Sequence, residues 1–189
     1  MKFLAGFVVA IIVICLGAFA AAMTGIYNIA ATVPHTGLER IIFSTVMRNS
    51  VISRAANNVE NVRSEDQVRK GFREYAEMCT ICHGAPGKEQ SEISKGMHPG
   101  PPNLAEAPRQ WNSAQLFWIV KNGIKMTGMP AFGPTHSDDQ IRNIVAFVQR
   151  LPRMSPDAYK AMEEASSEAH SDPSMEHHHP PSEPGDHHH

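Results

Sequence analysis

Cysteine is scarce in this chain: three residues in 189, Cys15, Cys79 and Cys82. That excludes a disulfide framework, because Cys15 lies deep in an apolar run and the other two stand close together in one short motif. Charge of a single sign is also missing. The formal net charge is −2 with both signs interspersed, so bulk electrostatic attraction to nucleic acid is excluded and partners have to be read from local patches. No stretch alternates apolar and polar residues as a half-buried strand does, and no βαβ pattern is visible, which points to an all-α fold.

What is present begins with Cys79-Thr80-Ile81-Cys82-His83. C-x-x-C-H is the spacing that attaches a c-type haem: two thiols add across the haem vinyl groups, and the adjoining imidazole lies under the iron as proximal ligand. Two other chemistries use C-x-x-C. A zinc site needs a second ligand pair, for which only Cys15 remains, and a redox dithiol belongs in a βαβ context.

From Phe3 to Ala22 the chain carries no charge and no strong polar group, enough for a helix to cross a bilayer core of about 30 Å. Lys2 is the only early positive charge and favours an N-terminus left in the cytoplasm, with everything downstream exported. A cleaved signal peptide is the competing reading, with Ala18-Phe19-Ala20 as a cleavage site. The run exceeds what a signal needs and reaches Ile26 and an interfacial Tyr27, so residues 1–27 are expected to form a retained anchor. Ile14 is too large for lipoprotein processing at Cys15.

Residues 28–63 are expected to hold a juxtamembrane helix and a polar linker over Ala56–Arg63. Thr36 and Glu39 form a capping box. Leu38, Ile41, Ile42, Thr45, Val46 and Ile52 recur near helical spacing, with Arg40, Arg48 and Arg54 among them. Such a helix can lie on a membrane surface, dock an integral-membrane partner, or pack on its own domain.

Ser64-Glu65-Asp66-Gln67 starts another capped helix, running through Val68, Gly71, Phe72, Tyr75 and Ala76 and delivering Cys79. Here the chain resembles a class I cytochrome c. In that family a glycine and an aromatic at the positions of Gly71 and Tyr75 pack against the C-terminal helix. That helix has a capped start at Ser137-Asp138-Asp139-Gln140, an apolar face of Ile141, Ile144, Val145, Val148 and Leu151, and a stop at Pro152; the resemblance sets Ile144 and Phe147 against the first helix. A third helix opens at Asn112-Ser113 and closes before Gly123. Residues 64–152 are thus expected to be the haem domain.

The resemblance also implies site residues. Pro102-Asn103-Leu104 matches the family's Pro-x-Leu element beside the proximal histidine: the Pro102 carbonyl would accept the second ring N–H of His83, and Leu104 would cover the haem face. Trp111 would point its N–H toward a haem propionate or serve in packing. In Gly128-Met129-Pro130-Ala131-Phe132-Gly133, Met129 matches the axial methionine, with Met126 as fallback; thioether sulfur prefers ferrous iron. His35, His98 and His136 are single histidines in loops, more often solvated than ligating.

Residues 153–189 are expected to form one short helix from Ser155-Pro156-Asp157 through Met162 and Glu164, then a disordered Ser/Glu/Pro/His tail. His177, His178, His179, His187, His188 and His189 there form two runs suited to weak Cu, Ni or Zn capture, or else a solvated or engineered remnant.

With one covalent haem c and two axial ligands, the resemblance implies no enzyme but an electron carrier: a membrane-tethered monohaem cytochrome on the periplasmic side of the cytoplasmic membrane, serving respiratory redox partners or forming a subunit of an oxidoreductase complex. The alternatives are a gas sensor or peroxidase-like enzyme in which Met129 dissociates, and a metal-handling protein acting through the tail. Between residues 84 and 130 Lys88, Lys95, Arg109, Lys121 and Lys125 outnumber Glu89, Glu92 and Glu106, a bias that favours acidic docking faces.

Overall fold

The structure, a computed structural model, describes residues 2–55, 64–104 and 110–170. The expected linker over Ala56–Arg63, Glu106, Arg109 and both histidine runs of the tail lie outside the described residues. Eight helices are described: α1 (Lys2–Met23), α2 (Gly37–Arg54), α3 (Glu65–Glu74), α4 (Thr80–His83), α5 (Glu92–Lys95), α6 (Ser113–Asn122), α7 (Asp138–Val148) and α8 (Pro156–His170). No strand forms among the described residues; the nearest approach is one isolated bridge between Ala85 and Lys88. The fold is all-α.

Helix starts fall where side chains can replace the partners that a first turn lacks. Thr36, Ser64 and Ser137 each cap with the residue three positions on returning the bond, and Asn112 with Gln115 forms a fourth such box at α6. At the other end of α6, Gly123 adopts φ 66°, and its N–H bonds Ile119 O at 2.8 Å. α7 stops at Val148, earlier than Pro152 alone implies, because Leu151–Arg153 winds into a 3₁₀ turn that contains the proline. Leu151 nevertheless stays buried.

The core is the crossing of α3 over α7. Val68, Phe72 and Tyr75 meet Ile141, Ile144, Val145, Phe147 and Val148, with Leu116 and Val120 of α6 and Tyr159 of α8 completing the cluster. The crossing is close because Gly71 has no side chain: a Cβ there would lie 1.9 Å from the Asn143 carbonyl oxygen. Phe72 packs edge-on against Phe147 at 5.4 Å and against Tyr159 at 5.3 Å.

The two buried phenols differ in a testable way. Tyr75 donates to Gly84 O at 2.6 Å, and burial pushes its ionisation up well beyond the ordinary range, so it stays a donor. Tyr159, likewise pushed up by burial, to about 12, has a buried hydroxyl without a partner among the described residues. Tyr75→Phe is therefore expected to cost about 1–2 kcal/mol, since it strands a buried carbonyl. Tyr159→Phe is expected to stay within about 0.5 kcal/mol of wild type or gain slightly. Denaturant melts of the two variants check the contrast.

α3 does not run straight into the motif. Tyr75–Cys79 forms a single π turn, with the Thr80 N–H reaching back to Tyr75 O, and α4 follows at once. The expected uninterrupted helix is thus corrected. A π turn carries one residue more than an α turn and rotates everything after it about the axis, which re-aims Cys79, Cys82 and His83 relative to the α3–α7 core.

α1 carries no charge beyond Lys2, and its stretch Phe3–Met23 is long and apolar enough to cross a membrane. α2 packs on the rest of the fold: Val51 is 0% exposed. Leu38, Ile41, Ile42, Val46 and Ile52 remain exposed.

Candidate functional site

One apolar cleft of roughly 570 Å³ opens between α4, the Gly/Pro-rich loop after it, α6, α7 and the loop after α6, within the usual range of about 300–1,000 Å³ for cofactor sites. Cys79, Cys82 and His83 reach it from the π turn and α4; Met129 reaches it from the loop after α6. Pro102, Leu104 and Trp111 line it too. Four residues far apart in chemistry, two thiols, an imidazole and a thioether, therefore share one pocket whose remaining walls are hydrocarbon, among them Leu116, Ile119, Val120 and Val145.

The His83 ring is held in place. Its Nδ1 lies 2.8 Å from the Pro102 carbonyl, and since a carbonyl only accepts, the ring proton belongs on Nδ1 and the lone pair on Nε2. Burial lowers the His83 pKa, partly opposed by that hydrogen bond; a neutral ring is the form that ligates metals. The carrier loop has its own support: Gln90 Nε2 donates to Pro101 O at 2.9 Å.

The opposite wall is braced by backbone. Gly123 lies so near the Met129–Ala131 strip that a Cβ would meet Ala131 N at 2.7 Å and Met129 O at 2.8 Å. Met129 N–H donates to Thr127 Oγ1 at 3.2 Å, and its carbonyl accepts from Ile124 N–H at 3.3 Å. Met126 does not line the cleft; it takes φ 63° and is 80% exposed. The histidines weighed above stay outside it as well. His136 rests on Phe132 at 5.4 Å with its Nε2 3.7 Å from Glu74, and His35 lies beside Phe43 and Glu39.

Burial pushes the Cys79 thiol up to about 12, reinforced by the neighbouring Cys82 and Glu74 charges. A zinc site needs a further ligand pair beside Cys79 and Cys82, and no group of three or more His, Cys, Asp or Glu residues suited to a metal ion occurs among the described residues. The donor set fits a haem: one apolar slot is lined by an imidazole with a preset tautomer, a soft thioether sulfur and two thiols, the groups that thioether attachment and iron ligation would use.

A helical domain wrapped round such a slot defines a cytochrome of the c type. Residues 66–148, somewhat under half of the chain, match the model for Cytochrome C oxidase, cbb3-type, subunit III. This stretch is a c-type cytochrome domain, a haem-binding electron-transfer component.

The basic bias around the cleft is smaller than the residue count implies. Lys88 pairs with Glu163, Lys95 with Glu92 at 2.9 Å, and Lys121 with Asp138 at 2.6 Å. Of these lysines and Lys125, only Lys125 has no ion pair among the described residues. Two site features escaped the sequence reading. The π turn leaves no signature in Tyr-Ala-Glu-Met-Cys, and Met47, which lines the cleft from α2, was readable only as a residue between the more conspicuous apolar positions of that helix.

Proposed function

We propose that this protein is a membrane-tethered monohaem cytochrome c that carries single electrons between respiratory partners on the periplasmic side of the cytoplasmic membrane. Cys79 and Cys82 would hold the haem as thioethers, and His83 and Met129 would supply its two iron ligands. The observation that supports this most is the convergence of His83, from α4, and Met129, from the loop after α6, on one cleft.

When bound, haem supplies a one-electron couple at its iron. The chain does the rest. Pro102 fixes the His83 tautomer and raises the basicity of Nε2, which favours the ferric form. The Met129 thioether would favour the ferrous form, so the pair would set a high potential and leave no open position for a substrate. The hydrocarbon walls exclude water, so little solvent has to reorganise on electron transfer. α1 keeps the domain at the bilayer, which replaces three-dimensional search for membrane partners with a high effective concentration.

Visible spectra of a washed membrane fraction, oxidised and reduced, test the proposal. The expected result is low-spin haem c that stays with the membranes after salt washing and binds no carbon monoxide at neutral pH. Rapid carbon monoxide binding would instead favour the sensor or peroxidase-like reading, and pigment in the soluble fraction would remove the tether.

A further inference from the structure

The cleft has a wall that lies outside the matched cytochrome segment. Met47, on α2, lines the same cavity as Cys79, His83 and Met129. Next to it, Arg48 holds its guanidinium carbon 5.7 Å from the centroid of Trp111, itself a lining residue. One turn on, Val51 is completely buried. At about 100° per residue, Met47 and Val51 project from one side of α2. The exposed Leu38, Ile41, Ile42, Val46 and Ile52 project from the other. An amphipathic surface helix ordinarily has a single apolar stripe. This one has two, and the inner stripe faces the cleft.

We infer that α2 is a working part of the haem site: Met47 closes the cleft against solvent and small ligands, and Arg48, braced on Trp111, is a positioning residue that supplies a cation at the cleft edge for the negative charge of the haem carboxylates. This rests on the reading of the cleft as the haem site. A cation at the edge of the haem cleft favours the added electron, so its loss shifts the couple toward ferric. Because Arg48 is solvent-exposed, salt screens the effect.

The test uses the full-length holoprotein in detergent. Arg48→Gln is expected to move the ferric/ferrous equilibrium three- to tenfold toward ferric, at most about 59 mV for one electron, and to flatten the dependence of the midpoint on salt. Arg48→Lys is expected to restore both to within about twofold. Met47→Ala is expected to speed imidazole binding to the ferric protein about tenfold. Failure of Met47→Ala to retain haem while Arg48→Lys retains it also supports a wall on α2. Haem retained with an unchanged midpoint and salt profile in Arg48→Gln, or with unchanged imidazole binding in Met47→Ala, overturns the inference. A wild-type protein that carries no haem c overturns the proposed function itself, and the two failures are thereby told apart.

Discussion

Gly71→Ala is expected to destabilise the fold by about 3 kcal/mol or more, enough that little holoprotein accumulates. Overpacking a core typically costs about 1–3 kcal/mol when side chains can give way. Here the obstacle is backbone: the added Cβ would lie 1.9 Å from Asn143 O and 2.4 Å from Asn143 C, and no rotamer change relieves that. The only escape is to part α3 and α7. That opens the contacts of Phe72 and Phe147, and an aromatic pair contributes about 0.5–1.5 kcal/mol beyond its buried area. Against a total stability of about 5–15 kcal/mol the loss is severe. Gly96→Ala is the matched control, because the nearest atom to a Cβ there is Ile93 O at 3.6 Å, an ordinary contact. It is expected to stay within about 0.5 kcal/mol of wild type. Holoprotein yield and denaturant midpoints measure both, and a Gly71→Ala protein as stable as wild type would refute the close crossing.

The second large effect concerns the iron's proposed sulfur ligand. Met129→Ala is expected to shift the couple toward ferric on the order of a hundredfold, twice the 59 mV of a tenfold change, since the thioether is the ligand that favours ferrous iron. The ferrous protein should also bind carbon monoxide rapidly, because a coordination position opens. The loop itself should keep its shape: its bonds run from Thr127 Oγ1 and from backbone atoms rather than from the Met129 side chain. Met126→Ala, at an exposed position away from the cleft, should change neither property. Potentiometric titration with visible spectra decides, and an unaltered spectrum and midpoint in Met129→Ala would place the sixth ligand elsewhere.

How much of this was legible in the sequence depended on whether local chemistry or tertiary packing decides the feature. Capping boxes at Thr36, Ser64 and Ser137 depend on residues three apart, and all three formed. Gly71 and Tyr75 are recognisable through resemblance; of their partners, Ile144 falls on the face that the apolar spacing of α7 marks, Phe147 is legible only through the resemblance, and the Asn143 backbone through neither. The π turn at Tyr75–Cys79 was not legible, because a helix accepts an extra residue only where the surrounding packing rewards the rotation. The stop of α7 at Val148 is not legible because Pro152 marks only the latest possible end, while the chain leaves the α-helix earlier and winds into the 3₁₀ turn Leu151–Arg153 that contains the proline. On α2 the larger apolar stripe dominated the periodicity, yet the smaller one carries the buried Val51 and the cleft-lining Met47. The lysines read as a basic face because sequence counts charges without their partners, three of which come from α5, α7 and α8.

The docking of α2 also bears on reach. With α2 held on the cleft, the leash between α1, the proposed membrane anchor, and the domain is residues 24–36 rather than everything from 24 to 63. Fully drawn out, that leash spans roughly 45 Å, and a relaxed chain covers about half of it. On the proposed function, electron donors and acceptors that rise far above the lipid surface would lie out of range, and productive encounters would belong to proteins whose own redox centres sit within a few nanometres of the head groups.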